Sequence, residues 1–417
     1  MGVFKVKGGK KLSGSLTVQG AKNSALPILA ATLLIKDKSV LHNCPDLTDT
    51  SAALKILVML GCVCVRDDNT VIVDARDAVN FEISKELMRE MRSSVVFLGA
   101  MISRMGRAVI SNPGGCELGP RPIDLHISAL RQLGVHIEEQ EDRIVCTAPK
   151  GIIGSEITLD FPSVGATENI IIAACVSKGT TVIKNAAREP EISDLADFLN
   201  RAGGRIKGAG SSVVTIEGVG RLYSAEHRVL PDRIVAATYL SAAAVTGGEV
   251  MLKGCNAVNM MSILRFFGDI GCRIKSDGSN IYLCGKEKYN PTRQIVTDVY
   301  PAFPTDAGPI VVPVFCRIDG RQSIKETIFE NRFRYINELN KLGADISLKG
   351  DVAATNGLKI LKATNVRCTD LRGGAALVVA ALCCEGEVLI SDIHHIERGY
   401  CNMPRCLNAL GADITEV

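Results

Sequence analysis

The stretch from residue 179 to residue 206, GTTVIKNAAREPEISDLADFLNRAGGRI, contains a strand pattern, a helix pattern and a glycine stop. Ile192, Leu195 and Phe198 fall on one face of a helix, because they are spaced three residues apart. Gly203 suits the end of this helix, since a C-terminal cap often adopts a positive φ that is costly for residues with a Cβ atom. The stretch therefore predicts a strand followed by a helix with one buried face.

The same pattern recurs along the whole chain. The glycines that end the helices are 68 to 73 residues apart and are Gly61, Gly134, Gly203, Gly271, Gly343 and Gly411. A turn and a short β-branched strand precede each of them, at residues 38–41, 106–110, 179–183, 248–252, 320–324 and 386–390. A fixed period of this kind is typical of repeat architectures. We expect six units, each with helix, strand, helix and strand.

The other helix of each unit is apolar nearly all round, as in residues 24–34 and 374–384, and such helices are buried on every side. Six units of about 70 residues exceed a single core, so we predict two α/β domains of three units each. The predicted domains are 22–230 and 1–21 plus 231–417, because a proline at 231 interrupts one connection and two early strands can return to the second domain. The default ligand site is then the cleft between the two domains.

The composition excludes several classes of protein. With 417 residues, 47% of them hydrophobic and 22% charged, the chain is globular rather than disordered. A net charge of +3, no Trp and few other aromatic residues disfavour nucleic acid as a partner. The longest apolar run, residues 373–384, is shorter than the ~20 residues that cross a bilayer, so no membrane insertion is expected. Fifteen cysteines without a regular framework indicate reduced thiols and a cytoplasmic protein.

One segment, residues 112–122, is rich in glycine and proline and is expected to form an exposed loop. It holds Cys116, and Arg121 nearby would stabilise its thiolate, so this thiol could exchange a proton near neutral pH. The alternative is an incidental exposed thiol. A loop of this composition that carries a reactive group is a common design for a lid.

Basic residues that are expected to lie in loops form a second group. They are Lys22 beside Asn23, Arg92, Arg121, Arg332, Arg372 and Arg398. If they converge, they would hold a small and highly anionic substrate, because arginine binds carboxylate and phosphate with fork geometry. Taken singly, each is more simply explained as a solvated or salt-bridged surface residue.

Carboxylates near these cations are candidate bases. Asp306 follows a stiff proline-rich segment, Asp370 precedes Arg372, and Glu330 lies beside Arg332. Asp306 could equally cap the following helix. No CxxC motif, P-loop or dinucleotide fingerprint occurs in the required context, so we expect no metal and no organic cofactor.

These segments in this order resemble the enolpyruvyl transferases, and specifically the branch that acts on a UDP-sugar. The resemblance covers essentially the whole chain and rests on residues 20–23, 113–116, 121–125, 163–169, 187–192, 304–306, 326–333, 369–372 and 398–400. It implies two inside-out α/β domains, barrel-like, with three repeated units of buried helices and outer sheets in each. It also implies transfer of the enolpyruvyl group of phosphoenolpyruvate to the 3′-hydroxyl of UDP-N-acetylglucosamine, with release of phosphate, as the first committed step of peptidoglycan precursor synthesis.

The resemblance assigns a role to each site residue. Cys116 matches the proton donor to phosphoenolpyruvate, a thiol alkylated by fosfomycin, and Asp306 matches the base beside the sugar hydroxyl. The remaining phosphoenolpyruvate ligands implied by the match are Lys22, Asn23, Arg121, Arg332, Arg372 and Arg398, with Lys22 and Arg398 also catalytic. The UDP-sugar ligands are Arg92, Arg121, Pro122, Ile123, Asp124, Leu125, Ser163, Val164, Gly165, Asp306 and Ile328. Glu330, Asp370 and His395 match supporting residues.

The chain departs from some members at Phe161, where they carry a lysine that reaches the diphosphate of the sugar nucleotide. Either Arg121 and backbone donors hold the diphosphate here, or the chain belongs to a branch without this lysine. Two other functions remain open: a paralogue that binds sugar nucleotide without catalysis, and transfer to shikimate 3-phosphate. The oligomeric state is left open by the sequence.

Overall fold

The computed structural model describes residues 2–91, 93–111 and 123–417. The chain divides into two compact units. The described residues between 20 and 230 form one of them, here the N-terminal unit, and residues 2–19 with 231–417 form the other, here the C-terminal unit.

Helices and strands alternate in both units. The described helices are α1 (Lys22–Thr32), α2 (Thr48–Met59), α3 (Lys85–Glu90), α4 (Phe97–Met105), α5 (Asp124–Gln132), α6 (Val164–Ala174), α7 (Pro190–Arg201), α8 (Arg233–Thr246), α9 (Met261–Asp269), α10 (Gly308–Phe315), α11 (Ile336–Lys341), α12 (Leu371–Ala381), α13 (His394–Glu397) and α14 (Met403–Ala409). Short 3₁₀ turns occupy Ser94–Val96, Ala257–Met260 and Arg332–Tyr335. None of the helices within the described residues is long and apolar enough to cross a membrane.

The strands are short and mostly five residues long. In chain order they are β1 (Val3–Lys7), β2 (Ser13–Thr17), β3 (Lys38–His42), β4 (Val63–Asp67), β5 (Thr70–Asp74), β6 (Glu82–Ile83), β7 (Arg107–Ser111), β8 (His136–Glu139), β9 (Arg143–Thr147), β10 (Glu156–Thr158), β11 (Thr180–Lys184), β12 (Arg205–Lys207), β13 (Val213–Glu217), β14 (Ala225–Arg228), β15 (Glu249–Lys253), β16 (Arg273–Ser276), β17 (Asn280–Cys284), β18 (Ile295–Val296), β19 (Arg321–Lys325), β20 (Ser347–Lys349), β21 (Val352–Asn356), β22 (Asn365–Arg367), β23 (Glu387–Ser391) and β24 (Ile414–Glu416).

Each unit holds three sheets of four strands among its described residues. Their strand orders are β14-β3-β5-β4, β6-β7-β9-β8 and β10-β11-β13-β12 in the N-terminal unit, and β2-β15-β17-β16, β18-β19-β21-β20 and β22-β23-β1-β24 in the C-terminal unit. Every sheet has one parallel pair and two antiparallel pairs, for example β3 parallel to β14 and antiparallel to β5. The two strands at the start of the chain, β1 and β2, complete sheets of the C-terminal unit.

Three helices pack against one another inside each unit, namely α1, α4 and α6 in one and α8, α10 and α12 in the other. They are buried almost all round; in α12 every residue from Arg372 to Ala381 is buried. The sheets cover this helical core, and their strands alternate buried side chains with half-buried or exposed ones, as in β5 and β11. The predicted fold, with buried helices and outer sheets, is confirmed.

The predicted element boundaries were less accurate. The first buried helix begins at Lys22 rather than residue 24, and α12 begins at Leu371 rather than residue 374. The first turns of these two helices contain polar site residues, so the apolar pattern that predicts a buried helix starts only after them. Each repeat also has more strands than predicted, because strands as short as Glu82–Ile83 leave no readable alternation.

The six repeat glycines adopt the positive φ that their position predicted. Their φ values lie between 85° and 99°. In three repeats an asparagine of the preceding helix then fixes the next strand by two hydrogen bonds; Asn200, for instance, donates to Ile206 O at 2.9 Å and accepts from Ile206 N at 2.8 Å. Gly61 and its equivalents thus end each amphipathic helix and return the chain to the sheet.

Close packing of the buried helices predicts a strong effect of one methyl group. Gly99 of α4 faces α6, and a Cβ atom there would lie 2.6 Å from Asn169 O. Gly99→Ala should therefore lower the free energy of unfolding by about 1–3 kcal/mol, measured by urea denaturation.

The matched control is Gly268→Ala on the exposed surface of α9, where nothing lies within 4 Å of the position that the new methyl group would occupy. This variant should be neutral or stabilised by up to about 1 kcal/mol, because alanine favours helix. Equal effects of the two substitutions would contradict the close approach of α4 and α6.

Candidate active-site residues in the two units

A carboxylate lies between two arginines in the C-terminal unit. Asp306 Oδ1 accepts a hydrogen bond from Arg332 Nη2 at 2.5 Å. Its other oxygen, Oδ2, accepts from Arg372 Nη2 at 3.2 Å and from Arg372 Nε at 3.3 Å. Both arginines are only 2% exposed, whereas the Asp306 side chain is 29% exposed. The cluster therefore presents two buried positive charges and one accessible carboxylate.

The segment that carries Asp306 is fixed from both sides. Arg332 Nη2 donates to Thr305 O at 2.9 Å, and the Thr305 hydroxyl donates to Glu326 Oε2 at 2.9 Å. The other oxygen of Glu326 accepts from Ile328 N at 2.8 Å and from Phe329 N at 3.1 Å. Glu326 thus joins the segment before α10, which carries Asp306, to the loop after β19, which carries Ile328.

Arg372 stands in the first turn of α12. Asp370 caps this helix, since its Oδ1 accepts from Arg372 N at 3.0 Å and from Gly373 N at 2.9 Å. Arg372 Nη1 donates to the Tyr400 hydroxyl at 3.2 Å. The guanidinium is consequently held on both edges, by Asp306 on one and by Tyr400 on the other.

Two sequence-based interpretations of these residues were wrong. Asp306 does not cap α10, which begins at Gly308 without a side-chain cap; its oxygens are engaged by the two arginines instead. Arg332, Arg372 and Lys22 are salt-bridged, as one alternative expected, but they are buried and helical rather than on the surface and in loops. The spacing of polar residues was misread because a first helical turn with charged residues resembles a loop.

The other predicted residues of the C-terminal unit are Ile328, Glu330, His395 and Arg398. Ile328 is half-buried and Glu330 is exposed. His395 lies in α13, where its ring stacks on that of His394 with centroids 4.1 Å apart. Arg398 follows α13 and precedes Tyr400 by two residues.

In the N-terminal unit, the first residue of α1 is a buried lysine. Lys22 Nζ donates to Asp49 Oδ2 at 3.1 Å, and the two residues are 9% and 2% exposed. Asn23 follows Lys22 and is exposed. Asp49, in the first turn of α2, offsets the charge of Lys22 in this buried position.

Two predicted sugar-nucleotide segments meet in the N-terminal unit. Ser163 caps α6, accepting from Ala166 N at 3.3 Å, so Val164 and Gly165 form the first turn of that helix. Ile123 precedes α5, and Asp124 and Leu125 are its first two residues. His126 of this helix packs against Gly165: a Cβ atom at position 165 would lie 3.0 Å from His126 Cε1. Ile123, Asp124 and Leu125 are therefore close to Ser163, Val164 and Gly165.

The orientation of His126 is set by Asn169 of α6. Asn169 Oδ1 accepts from Gly99 N at 2.8 Å, which leaves its Nδ2 to donate to His126 Nδ1 at 2.7 Å and to Val95 O at 2.8 Å. Because Nδ1 of His126 accepts, the proton of the neutral ring lies on Nε2. Hydrogen bonding thus fixes one tautomer beside the α6 N-terminus.

The predicted Cys116 loop lies outside the described residues, as do Arg92, Arg121 and Pro122. Phe161 is described and is 44% exposed, two residues before the Ser163 cap. The fourteen cysteines of the described residues are free thiols. Burial raises the pKa of Cys62, Cys146 and Cys175 to about 12, so these thiols are poor nucleophiles at neutral pH.

Comparison with known proteins identifies the family. Residues 6–407 match the family of EPSP synthase (3-phosphoshikimate 1-carboxyvinyltransferase). The chain belongs to this enolpyruvyl transferase family. The resemblance inferred from the motifs is thereby confirmed.

Similar proteins span the full length of the chain. UDP-N-acetylglucosamine 1-carboxyvinyltransferase 2 of Caldanaerobacter subterraneus is 46% identical over 417 residues, which is all of both chains. UDP-N-acetylglucosamine 1-carboxyvinyltransferase 1 of Symbiobacterium thermophilum is 44% identical over 99% of this chain and 95% of its own. The crystal structure of the enolpyruvyl transferase NikO from Streptomyces tendae superposes with a TM-score of 0.90 at 23% identity, over 100% of this chain and 99% of its own. NikO therefore supports the fold of this enolpyruvyl transferase.

Sequence reasoning missed four residues that hold the predicted site residues in place: Asp49, His126, Glu326 and Tyr400. Glu326, His126 and Tyr400 lay within or beside recognised motifs, but their side-chain partners are set by tertiary structure. Asp49 lies 27 residues from Lys22, and no spacing rule connects the two.

The Lys22–Asp49 pair gives a stability prediction. Asp49→Asn keeps the shape of the side chain but removes the charge that pairs with a buried ammonium, so the free energy of unfolding should fall by about 2–4 kcal/mol in urea titrations. Glu90→Gln is the control, because the Glu90–Lys55 pair is exposed; it should change stability by less than about 0.5 kcal/mol. Similar losses of free energy of unfolding in both variants would show that burial does not increase the contribution of the Lys22–Asp49 pair.

Glu168 of α6 gives a pH-dependent prediction. Burial, with the nearby carboxylates of Glu191 and Glu189, raises the pKa of Glu168 well above its usual 4.5. The folded state therefore keeps a proton that the unfolded state loses. The contribution of Glu168 to the free energy of unfolding is thus fully present below pH 4.5 and falls as the pH rises above it.

Glu168→Gln removes this dependence. At pH 8 the free energy of unfolding of the variant, measured by urea titration, should exceed that of wild type. The difference should be up to about 1.4 kcal/mol for each unit by which the pKa of Glu168 is raised. It should shrink towards zero as the pH approaches 4.5. A difference that stays constant with pH would show that Glu168 is ionised in the folded state.

Proposed function

We propose that this enolpyruvyl transferase moves the enolpyruvyl group of phosphoenolpyruvate to the 3′-hydroxyl of UDP-N-acetylglucosamine and releases phosphate. The observation that carries the proposal is Asp306, an accessible carboxylate held between buried Arg332 and Arg372. It is supported by relatives named for this reaction that are 44–46% identical over nearly the whole chain. The step belongs to peptidoglycan precursor synthesis, and we assign it to the cytoplasm.

The reaction is an addition followed by an elimination. A proton adds to the methylene carbon of phosphoenolpyruvate, and the sugar oxygen bonds to the adjacent carbon as its own proton leaves to a base. The tetrahedral ketal then loses phosphate, and a proton leaves the new methyl group to restore the double bond. The proton gained in the first half is thus returned in the second, and neither an oxidant nor a reductant is consumed.

Asp306 is the base for the sugar hydroxyl in this scheme. Its two guanidinium partners favour the charged carboxylate, which accepts a proton only when the hydroxyl is well positioned. The carboxylate of phosphoenolpyruvate carries the same charge and competes for the same N–H donors of Arg332 and Arg372. Binding of this substrate would therefore release an oxygen of Asp306 for proton transfer, while the arginines stabilise the substrate carboxylate.

The remaining groups of the two substrates are assigned mainly to residues of the N-terminal unit. Lys22 and Asn23, together with Arg121 and Arg398, are assigned to the phosphate of phosphoenolpyruvate. The first turn of α6 supplies backbone N–H groups at Val164 and Gly165 for the anionic sugar nucleotide, with Ile123, Asp124 and Leu125 beside it. Cys116 is assigned as the proton donor to the methylene carbon.

Two other functions give distinguishable results. Transfer to shikimate 3-phosphate would use the same first substrate with another acceptor, and the family name itself refers to that reaction. A paralogue that only binds sugar nucleotide would release no phosphate with either acceptor. The names of the relatives at 44–46% identity favour the sugar nucleotide.

The purified protein should release phosphate from phosphoenolpyruvate when UDP-N-acetylglucosamine is present and not when shikimate 3-phosphate replaces it. Asp306→Asn and Cys116→Ala should each lower kcat at least about a hundredfold, because each removes a proton-transfer group. Cys116→Ala should still bind the sugar nucleotide. Colorimetric phosphate measurement and calorimetric binding provide the readouts.

The control is Asp298→Asn, an exposed aspartate of the same unit, which should keep wild-type kcat within about twofold. Absence of phosphate release by wild type with either acceptor would overturn the proposed function. Wild-type rates in Asp306→Asn would remove the assignment of the base but not the overall reaction.

A further inference from the structure

Arg372 is one end of a buried chain of hydrogen bonds in the C-terminal unit. Its Nη1 donates to the Tyr400 hydroxyl at 3.2 Å, and that hydroxyl lies 2.8 Å from Thr238 Oγ1. Thr238 Oγ1 in turn donates to Ile234 O at 3.0 Å. Thr238 is 0% exposed, and Tyr400 and Arg372 are 2% exposed, so the chain is shielded from water.

One arrangement of these bonds gives both hydroxyl protons an acceptor. In this arrangement the single hydroxyl proton of Thr238 goes to the carbonyl of Ile234, and Thr238 Oγ1 accepts from Tyr400. The Tyr400 proton therefore points to Thr238, and the oxygen lone pairs of Tyr400 face the N–H of Arg372. Burial raises the pKa of the Tyr400 phenol, which keeps this proton in place at neutral pH.

This chain of hydrogen bonds holds Arg372 independently of Asp306. Asp306 binds the Nε and Nη2 edge of the guanidinium, and Tyr400 binds Nη1. When a substrate carboxylate displaces Asp306, the hydrogen bond to Tyr400 continues to orient the guanidinium plane. The Tyr400 ring lies 5.6 Å from Arg372 Cζ and would remain in a phenylalanine variant.

We propose that Tyr400 is a positioning residue that presents Arg372 to the carboxylate of phosphoenolpyruvate, with Thr238 fixing the direction of its hydroxyl. The inference rests on the proposed function for the identity of the anion. Neither side chain is assigned a contact with the reacting atoms. Their effect is transmitted through one N–H of Arg372, so it should be confined to the substrate that this arginine binds.

Tyr400→Phe removes only the oxygen. It should weaken the binding of phosphoenolpyruvate and raise its KM about tenfold, the usual effect of losing a hydrogen bond to a charged group. The affinity and KM for UDP-N-acetylglucosamine should stay within about twofold of wild type. Equilibrium calorimetry and steady-state kinetics measure the two effects separately.

Thr238 supplies a second test with its own rescue. Thr238→Val deletes the acceptor of the Tyr400 proton and should reproduce the Tyr400→Phe effect, whereas Thr238→Ser keeps the hydroxyl and should bind phosphoenolpyruvate like wild type. The double variant Tyr400→Phe with Thr238→Val should be no weaker than the worse single variant, because both break the same chain.

Tyr335→Phe is the matched control. Tyr335 is also a fully buried tyrosine of this unit, and its hydroxyl has no hydrogen-bond partner among the described residues. This variant should bind both substrates as wild type does and be at least as stable. The comparison separates loss of a buried oxygen from loss of the Arg372 contact.

Wild-type affinity of Tyr400→Phe for phosphoenolpyruvate would overturn the inference. So would an equal loss of affinity for both substrates, accompanied by a lower unfolding temperature, because that pattern indicates a general structural role. Failure of the proposed function is recognised differently, since wild type would then release no phosphate although its binding of phosphoenolpyruvate could still be compared with that of the variant.

Discussion

The candidate site depends on two guanidinium groups that are almost completely buried. An unpaired cation in such a position is strongly unfavourable, so Arg332 and Arg372 require acceptors within the protein. Asp306 supplies a carboxylate to both, Thr305 a carbonyl to Arg332, and Tyr400 a hydroxyl to Arg372. The same donors suit a small dianionic or trianionic substrate. In the proposed function, charge stabilisation in the folded protein and substrate binding therefore use one set of hydrogen-bond donors.

The repeat architecture explains where these residues stand in the chain. Three buried helices pack together in each unit, and their interiors are filled by alanine, valine, isoleucine and leucine. The site residues that we predict on these helices lie in their first turns. Lys22 begins α1, Val164 begins α6, and Arg372 is the second residue of α12. The same position of the repeat thus supplies several of the residues that we assign to substrate binding.

Much of the fold and part of the candidate site could be predicted from the sequence. The glycines that end the amphipathic helices were identifiable because positive φ favours glycine, and all six adopt it. Helices α1 and α12 were recognisable as buried because they are apolar on every side. Motif resemblance named Asp306, Arg332 and Arg372, but it did not show that they contact one another. The partners that fix them, Tyr400 and Glu326, could not be inferred, since a side-chain contact between distant segments depends on how the helices and sheets pack.

The location of the cations is informative about function because it runs against helix electrostatics. The N-terminus of a helix carries a partial positive charge, and a cation there costs roughly 0.3–1 kcal/mol. Lys22 and Arg372 both occupy first turns, where selection for stability alone would favour Asp or Glu. Each is accompanied by a carboxylate, Asp49 or Asp306, which reduces this cost in the absence of substrate. The cations thus lie where the backbone is already positive, and neighbouring acids compensate their charge. This arrangement suits the binding of a compact, multiply charged anion.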